Sequence, residues 1–383
     1  MKYFFIIAFV LASCSIKTTT TTQDLPILNV TQKPEKTIYI EDIADLEFIR
    51  LETNDSTLVS RSLPDVVSEH YIVYHNQDGQ VLVFSRKGKI LYSFNHMGEG
   101  PEEYQSMMDI LLDENSTELY INDIIKSNIF VYSIDGTFKR HIPLPKRFFP
   151  DCLMNYDENH LFCYNSYYMD KSQNGMSKEE ISQRNKPYYF ISKQTGELTL
   201  LEYEIPNRMG NQAFQMKDDG TPLAIIMTNI YPLTRNTPDI LITEFTDDTL
   251  YSLKDGKLLP VMVKEPSTHK MIPPMMVGVD LFTDRYVFIN ACEKQFDTKQ
   301  KSLYLAYDKL SEVFYRIDSK LYSIILPLKG EVDLPRNTGI CEIDNEYLLQ
   351  DYKEGKLKGE LKEIASKIKE DDNPILMLIK FKE

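Results

Sequence analysis

Paired carboxylates are the raw material of acid and base catalysis. This sequence offers them as Glu102 and Glu103, inside the stretch Gly98-Glu99-Gly100-Pro101-Glu102-Glu103-Tyr104. Neighbouring side chains rarely aim at one substrate atom, so glycoside hydrolysis would need a second acid from a distant loop, and no spacing identifies one. His96, His141 and His269 fall in connecting segments and would meet only if those segments shared a face. The spacings of a zinc site, a nucleophile elbow and a phosphate loop are missing. Recognition chemistry is better represented, by Arg147, Arg208 and Arg336 with Phe148, Phe149, Tyr167, Tyr168 and Phe214. Aromatic faces stack on sugar rings or peptide side chains, and guanidinium forks bind carboxylates. The candidate ligand-binding set is therefore Glu99, Glu103, Tyr104, Arg147, Phe149, Tyr168, Arg208, His269 and Arg336, with no catalytic residue, metal or cofactor implied.

The elements that must position these residues are repeated hairpins. An alternating apolar run, a short polar turn and a second alternating run span residues 81–94, and this reads as two antiparallel strands. The pattern returns at 129–138, 188–198 and 249–257, at 303–316 without its glycine, and at 375–382. Ahead of each copy sits another strand-like run, at 71–74, 119–122, 161–164, 240–243, 286–289 and 346–349. A third kind of run precedes some of these, at 63–67, 108–112, 152–154 and 339–343. Six such units predict an all-β, six-bladed β-propeller, with a β-sandwich or two β domains as the alternative. The last unit is one strand short, so one of the early runs, 37–40 or 46–51, is expected to complete it and close the ring.

Closure of that kind dictates where loops go. Connections between second and third strands, and those from one blade to the next, emerge on the same face. The long segments 165–187, 291–302 and 350–374 are of the first class, and 95–106, 201–223, 264–276 and 318–337 are of the second. One face is thus expected to be elaborated and to hold the binding site. Within it, 353–369 has helical periodicity with Leu357, Leu361, Ile364 and Ile368 on one side, and 177–183 reads as a shorter helix.

The chain has 383 residues, 42% of them apolar, and a formal net charge of -14. That charge argues against nucleic acid and anionic membrane surfaces as partners, because both demand cationic patches. Four of the five cysteines, Cys152, Cys163, Cys292 and Cys341, form no recognisable disulfide framework. Cys152 and Cys163 lie in adjacent runs and could pair, with buried free thiols as the default.

Residues 1–13 read as a secretory signal, with Lys2 at its start and an apolar core too short to span a bilayer. The tetrapeptide Leu11-Ala12-Ser13-Cys14 resembles the lipobox of bacterial lipoproteins, in which the cysteine carries the lipid. Residues 14–36, with a threonine run at 18–22, read as a flexible tether, and 37–383 as the propeller domain. Together with the lipobox and the six repeats, the G-x-G-P-x-E-Y loop at 98–104 resembles the six-bladed β-propeller lipoproteins of Bacteroidetes type, distant relatives of NHL-repeat propellers. The resemblance covers residues 37–383 and implies fold and export, but no reaction. In this loop the glycines allow close backbone approach. It either plugs the channel mouth and bonds a neighbouring blade, or presents Glu103 and Tyr104 to a ligand. The expected function is non-catalytic binding of a carbohydrate, peptide or envelope protein at the outer membrane, on the periplasmic or the surface side, with the N-terminal lipid as the sole membrane contact. A polysaccharide hydrolase or lyase, or a structural envelope component, are the alternatives.

Overall fold

The computed structural model describes residues 25–34, 36–61, 63–145, 148, 150–165, 177–208, 212–216, 218, 222–227, 232–234, 239–293, 303–319 and 334–382, with 212–216 and 222–227 as backbone only. The leader, Cys14, Arg147, Phe149, Tyr167 and Tyr168 lie outside the described residues.

Each hairpin of the sequence is a pair of antiparallel strands, and the pairs extend into blades. Blade 1 runs outward from Val66–Val67 through Tyr71–His75 and Gln80–Ser85 to Ile90–Asn95. Blade 2 comprises Asp109–Asp113, Glu118–Asp123, Asn128–Ser133 and Phe138–Pro143. Blade 3 comprises Pro150–Asn155, His160–Asn165, Tyr188–Ser192 and Leu198–Leu200. Leu233–Thr234, Ile240–Ile242, Thr249–Lys254 and Lys257–Glu265 form blade 4. Blade 5 consists of Met275–Phe282, Tyr286–Glu293, Leu303–Asp308 and Val313–Asp318. Thr338–Ile343, Ile375–Phe381 and Ala44–Arg50 belong to blade 6. A separate hairpin, Gln212–Met216 with Pro222–Met227, lies in the connection between blades 3 and 4.

Both faces of a blade are buried against neighbours, and the apolar residues divide accordingly into six cores, one for each seam of the ring. Alternate residues of one strand enter different cores. Leu153 lies between blades 2 and 3, and Cys152 between blades 3 and 4. Cys163 faces the same core as Leu153, so the possible Cys152–Cys163 disulfide is not formed. All four described cysteines are free and buried. The chain is a six-bladed β-propeller.

The ring closes through Ala44–Arg50, which pairs antiparallel with Ile375–Phe381 from Ile375↔Arg50 to Phe381↔Ala44. The other early run goes elsewhere. Lys36–Tyr39 adds a parallel strand to the outer edge of blade 5, and Ile27–Asn29 does the same on blade 4. Leu28 is fully buried against blade 4. The tether expected over residues 14–36 therefore stops short, because residues from 27 onward are already strands of the folded unit.

Blade 6 also departs from expectation in its second half. The run 346–349 is not a strand but lies in the α-helix Asn345–Lys353, capped by Asp344, whose carboxylate accepts the amides of Glu346 and Tyr347. Thr338–Ile343 is accordingly the second strand from the centre, and a described first strand is absent among the described residues. The Arg50 carbonyl shows the register, because it lies against Gly88 of blade 1 as the Pro143 carbonyl of blade 2 lies against Gly196 of blade 3. Residues 344–374 thus connect second and third strands, as expected. The single helix foreseen at 353–369 is instead the end of Asn345–Lys353 plus a helix Gly359–Ala365, separated around Gly355. Its apolar stripe survives, with Leu357, Leu361 and Ile368 buried against blades 5 and 6. The short helix at Lys178–Asn185 carries a capping box between Ser177 and Glu180. No described helix is long and apolar enough to cross a membrane.

Candidate functional site

The face carrying the inter-blade and second-to-third-strand connections is called the loop face, and the opposite one the turn face. On the loop face, the stretch 98–104 folds as a clamp between blades 1 and 2. Glu103 accepts the Gly100 amide at 2.7 Å, and a Cβ on Gly98 would sit 2.1 Å from its Oε2, so glycine lets the carboxylate lie in this place. Lys126, from the second-to-third turn of blade 2, donates to the carbonyl oxygens of Gly98, Gly100 and Glu103 at 3.2, 2.8 and 2.6 Å. Tyr104 is fully buried; its hydroxyl donates to the Gly79 carbonyl (2.6 Å) and accepts the His96 amide (3.1 Å). Burial pushes that phenol up to about 12. Tyr104 thus ties the loop to blade 1 through the Gly79 carbonyl, while the Glu103 carboxylate is turned onto the Gly100 amide of its own loop. Glu99 is exposed on the same turn.

The three histidines do not converge. His96 donates to the Gly136 carbonyl and stacks on Tyr132, His141 lies in the outer strand Phe138–Pro143, and His269 faces Asp248 at 3.5 Å. Arg336 is on the turn face, not the elaborated one. It pairs with Asp284, in the turn between the first two strands of blade 5, and lines a pocket of about 180 Å³ there. Phe148 packs edge-on against Tyr189 in the core between blades 2 and 3. Of the nine ligand-binding candidates, Arg147, Phe149 and Tyr168 lie outside the described residues.

Arg208 is the sequence candidate that the fold places in a polar cluster. It is 2% exposed, under the loop face between blades 3 and 4. Its Nη1 donates to the Arg184 carbonyl (2.8 Å) and its Nη2 to the Tyr164 hydroxyl (3.2 Å). Tyr188 donates to Glu244 Oε1 (2.6 Å), Lys264 to the Glu244 carbonyl (2.7 Å), and Tyr203 to Asp247 (2.7 Å). Burial raises the Glu244 carboxyl above its ordinary range despite Arg208, Tyr188 and Lys264 nearby, and lowers the Lys264 ammonium to about 8. His269 sits on the rim of this cluster through Asp248.

A cleft of about 530 Å³ opens between blades 3 and 4 on the turn face, where the sequence was expected to build only tight turns. Its walls come from the first-to-second turn of blade 3 (Tyr156, Asp157, His160), the outer strands of blade 3 (Phe190, Thr199) and the hairpin turn of blade 4 (Lys254, Asp255, Gly256), with Asp239 beside them. Tyr156 and Phe190 meet edge to face at 4.8 Å. The Tyr156 hydroxyl accepts the Gly256 amide at 2.6 Å. Burial raises the Asp157 carboxyl, but hydrogen bonds from Asn159 and His160 outweigh it and hold the group below its ordinary value. Such a mixture of aromatic rings, acceptors and a lysine can hold a hydroxylated, partly apolar molecule.

The reason for the cleft is a missing repeat contact. In blades 1, 2 and 3 the glycine of the outer hairpin turn abuts the preceding blade: Gly88 meets Arg50, Gly136 meets Phe94 and Gly196 meets Pro143. Nothing lies within 4 Å of a Cβ on Gly256. The outer strand of blade 3, Leu198–Leu200, has three residues where Phe138–Pro143 of blade 2 has six, so the turn of blade 4 has no seat.

The model of the domain of unknown function DUF4934 matches residues 25–380. The chain belongs to the DUF4934 family. Among solved structures, this DUF4934 chain resembles a Bacteroides fragilis protein whose name calls it exported, at 17% identity and a TM-score of 0.63, covering 93% of this chain and 100% of that one. It also matches a DUF4221-family member from Bacteroides vulgatus at 11% identity and a TM-score of 0.49, covering 89% and 98%. No curated protein matches. The first likeness carries the propeller fold of the DUF4934 chain. Among its described residues no group of three or more His, Cys, Asp or Glu is arranged to hold a metal ion. Sequence reasoning missed Tyr156, Asp157 and Phe190, whose one signal was the shortness of the alternating run after Gly196.

Proposed function

We propose that this chain is a lipid-anchored protein of the cell envelope that holds a saccharide in the cleft between blades 3 and 4 without transforming it. The observation that carries the reading is the cleft itself, of about 530 Å³, with Tyr156 and Phe190 beside Asp157, Asp239 and Asp255. Aromatic faces take the apolar side of a sugar ring, and carboxylates accept pairs of hydroxyl hydrogens. Asp157 already commits Oδ1 to Asn159 and His160, which suits holding a ligand more than proton transfer. Anchoring rests on the lipobox-like residues 11–14, and export draws support from the name of the Bacteroides fragilis relative in fold.

A glycan array followed by calorimetry on the best binder tests the reading. Tyr156→Ala and Asp239→Asn are expected to weaken binding by about tenfold or more each, roughly 1.4 kcal/mol. Affinity unaffected by either change would remove the cleft. Release of a shortened or unsaturated product would establish the hydrolase or lyase instead, and an array without binders would leave a structural envelope component. Replacement of Cys14 by Ser should move the protein from the membrane fraction to the soluble one, and retention on the membrane would refute the anchor.

A further inference from the structure

Arg184 and Arg208 lie against each other on the loop face, away from the cleft. Arg208 Nη1 donates to the Arg184 carbonyl oxygen at 2.8 Å and Arg184 Nη2 to the Arg208 carbonyl at 3.3 Å, so each guanidinium is held by the other's backbone. Arg208 also donates to the Tyr164 hydroxyl, and its guanidinium carbon stands 5.1 Å from the Tyr164 ring centre. Among the described residues neither guanidinium makes a hydrogen bond to a carboxylate. Both Nε atoms are buried and have no partner.

That arrangement is costly as it stands. Buried charges in proteins are normally paired, and an unmade hydrogen bond from a buried charged donor is destabilising. Glu244 is the buried carboxylate of the neighbourhood, and its charge acts on Arg208, but its Oε1 accepts from Tyr188 and its Oε2 is also unpartnered, so it hydrogen-bonds neither arginine. Burial also biases Glu244 towards the neutral acid. Lys264 adds a third cationic group, bonded to a carbonyl oxygen. Arg184 is shifted down, first by burial and then by the positive charge of Arg208. Asp247 and Asp248 offset Lys264, so what the two arginines lack is a hydrogen-bonded acceptor for their Nε groups.

A planar oxyanion fits this deficit. The Nε edge of a guanidinium, with the adjacent Nη, is the fork that accepts a carboxylate, sulfate or phosphate group in two parallel hydrogen bonds. Arg184 lies in the last turn of the helix Lys178–Asn185, and Arg208 lies in the connection from blade 3 to blade 4, so both are presented by long loop-face segments. We propose that Arg184 and Arg208 form an oxyanion-binding site on the loop face, taking the acidic group of a ligand through their free Nε donors. The site is separate from the cleft and stands whether or not the cleft binds sugar.

Thermal unfolding of the full chain tests it, with sodium sulfate, acetate and glucuronate each titrated against sodium chloride at matched ionic strength. A saturable rise in midpoint with at least one oxyanion and not with chloride is the expected result. Arg184→Gln should weaken that response by about tenfold, the loss of one charged fork, while moving the midpoint without added anion only slightly. Arg208→Lys, which keeps the charge and removes the fork, should weaken it as well. Should glucuronate saturate at much lower concentration than acetate, the natural ligand is an acidic sugar; equal responses assign a simple anion. Identical behaviour of all four salts, or an Arg184→Gln protein that responds like the parent, would overturn the proposal.

Discussion

The seam between blades 2 and 3 and the seam between blades 3 and 4 are built from the same hairpin and end differently. In the first, the turn at Gly196 sits under the Pro143 carbonyl, and Lys193 reaches back to Asp113 at 2.8 Å with both side chains almost wholly buried. In the second, Lys254 occupies the corresponding position of its hairpin, but it is exposed and lines the cleft. Apolar packing is common to both, since a continuous core lies behind each. What differs is the outer strand on which the turn would rest, six residues long in blade 2 and three in blade 3. A repeat protein thus makes a cavity by shortening one strand, while the turn that loses its seat keeps its glycine.

The largest effect is expected at the closed seam. Asp113→Ala leaves the Lys193 ammonium buried without its carboxylate and should cost about 3–5 kcal/mol in urea denaturation. A loss below about 1 kcal/mol, as for surface pairs, would mean that the seam is hydrated and the contrast with the cleft is false. The second buried lysine, Lys264, donates to a carbonyl oxygen instead, and burial holds it down to about 8. An unfolded lysine keeps its proton to about pH 10.4, so between these values the unfolded chain binds more protons and stability rises with pH. The rise should amount to about 3 kcal/mol and disappear in Lys264→Met, as read from denaturation curves across that range. If the parent shows no rise relative to Lys264→Met, the lysine is solvated.

The two glycines sharpen the comparison further. Gly196 and Gly256 both have positive φ, at 74° and 69°. Alanine at either costs roughly 1–2 kcal/mol for the left-handed backbone. Gly196→Ala also brings a Cβ to 2.3 Å from the Pro143 carbonyl oxygen, and should lose about 1–3 kcal/mol more for overpacking. Equal losses in the two variants would show that the open seam closes in solution. The smallest change in stability is expected for Thr199→Trp, within about 0.5 kcal/mol because the position is exposed. It should nevertheless abolish saccharide binding by filling the cleft, and calorimetry showing undiminished binding would place the ligand elsewhere.

Much of the fold was legible because its signal is local. Alternation over six to eight residues around Gly88, Gly136, Gly196 and Gly256 identified the hairpins, and Ala44–Arg50 was among the runs expected to close the ring. The misreading at 346–349 came from weighing a short apolar run above its cap. Asp344 and the unbranched residues after it favour a helix, and four residues are too few for periodicity to overrule them. For the site, Arg208 was recognised by residue type, but Arg184, Glu244 and Lys264 were not, since their partners lie 24, 56 and 20 positions away. Glu103 and Tyr104 were noticed through their glycine-rich turn, and their side chains bond the Gly100 amide and the Gly79 carbonyl.

By itself the sequence determined which segments are strands and that they recur, because backbone hydrogen bonding and side-chain alternation act within a few residues. It also determined the charge, the turn glycines and the candidate leader. Only the tertiary structure decided which blade each early strand joins, which face carries Arg336, and that one seam gapes while its neighbour is sealed. Those outcomes depend on contacts such as Lys193 with Asp113, 80 positions apart, whose energy is set by how far an outer strand reaches, and no local pattern in the chain encodes that length.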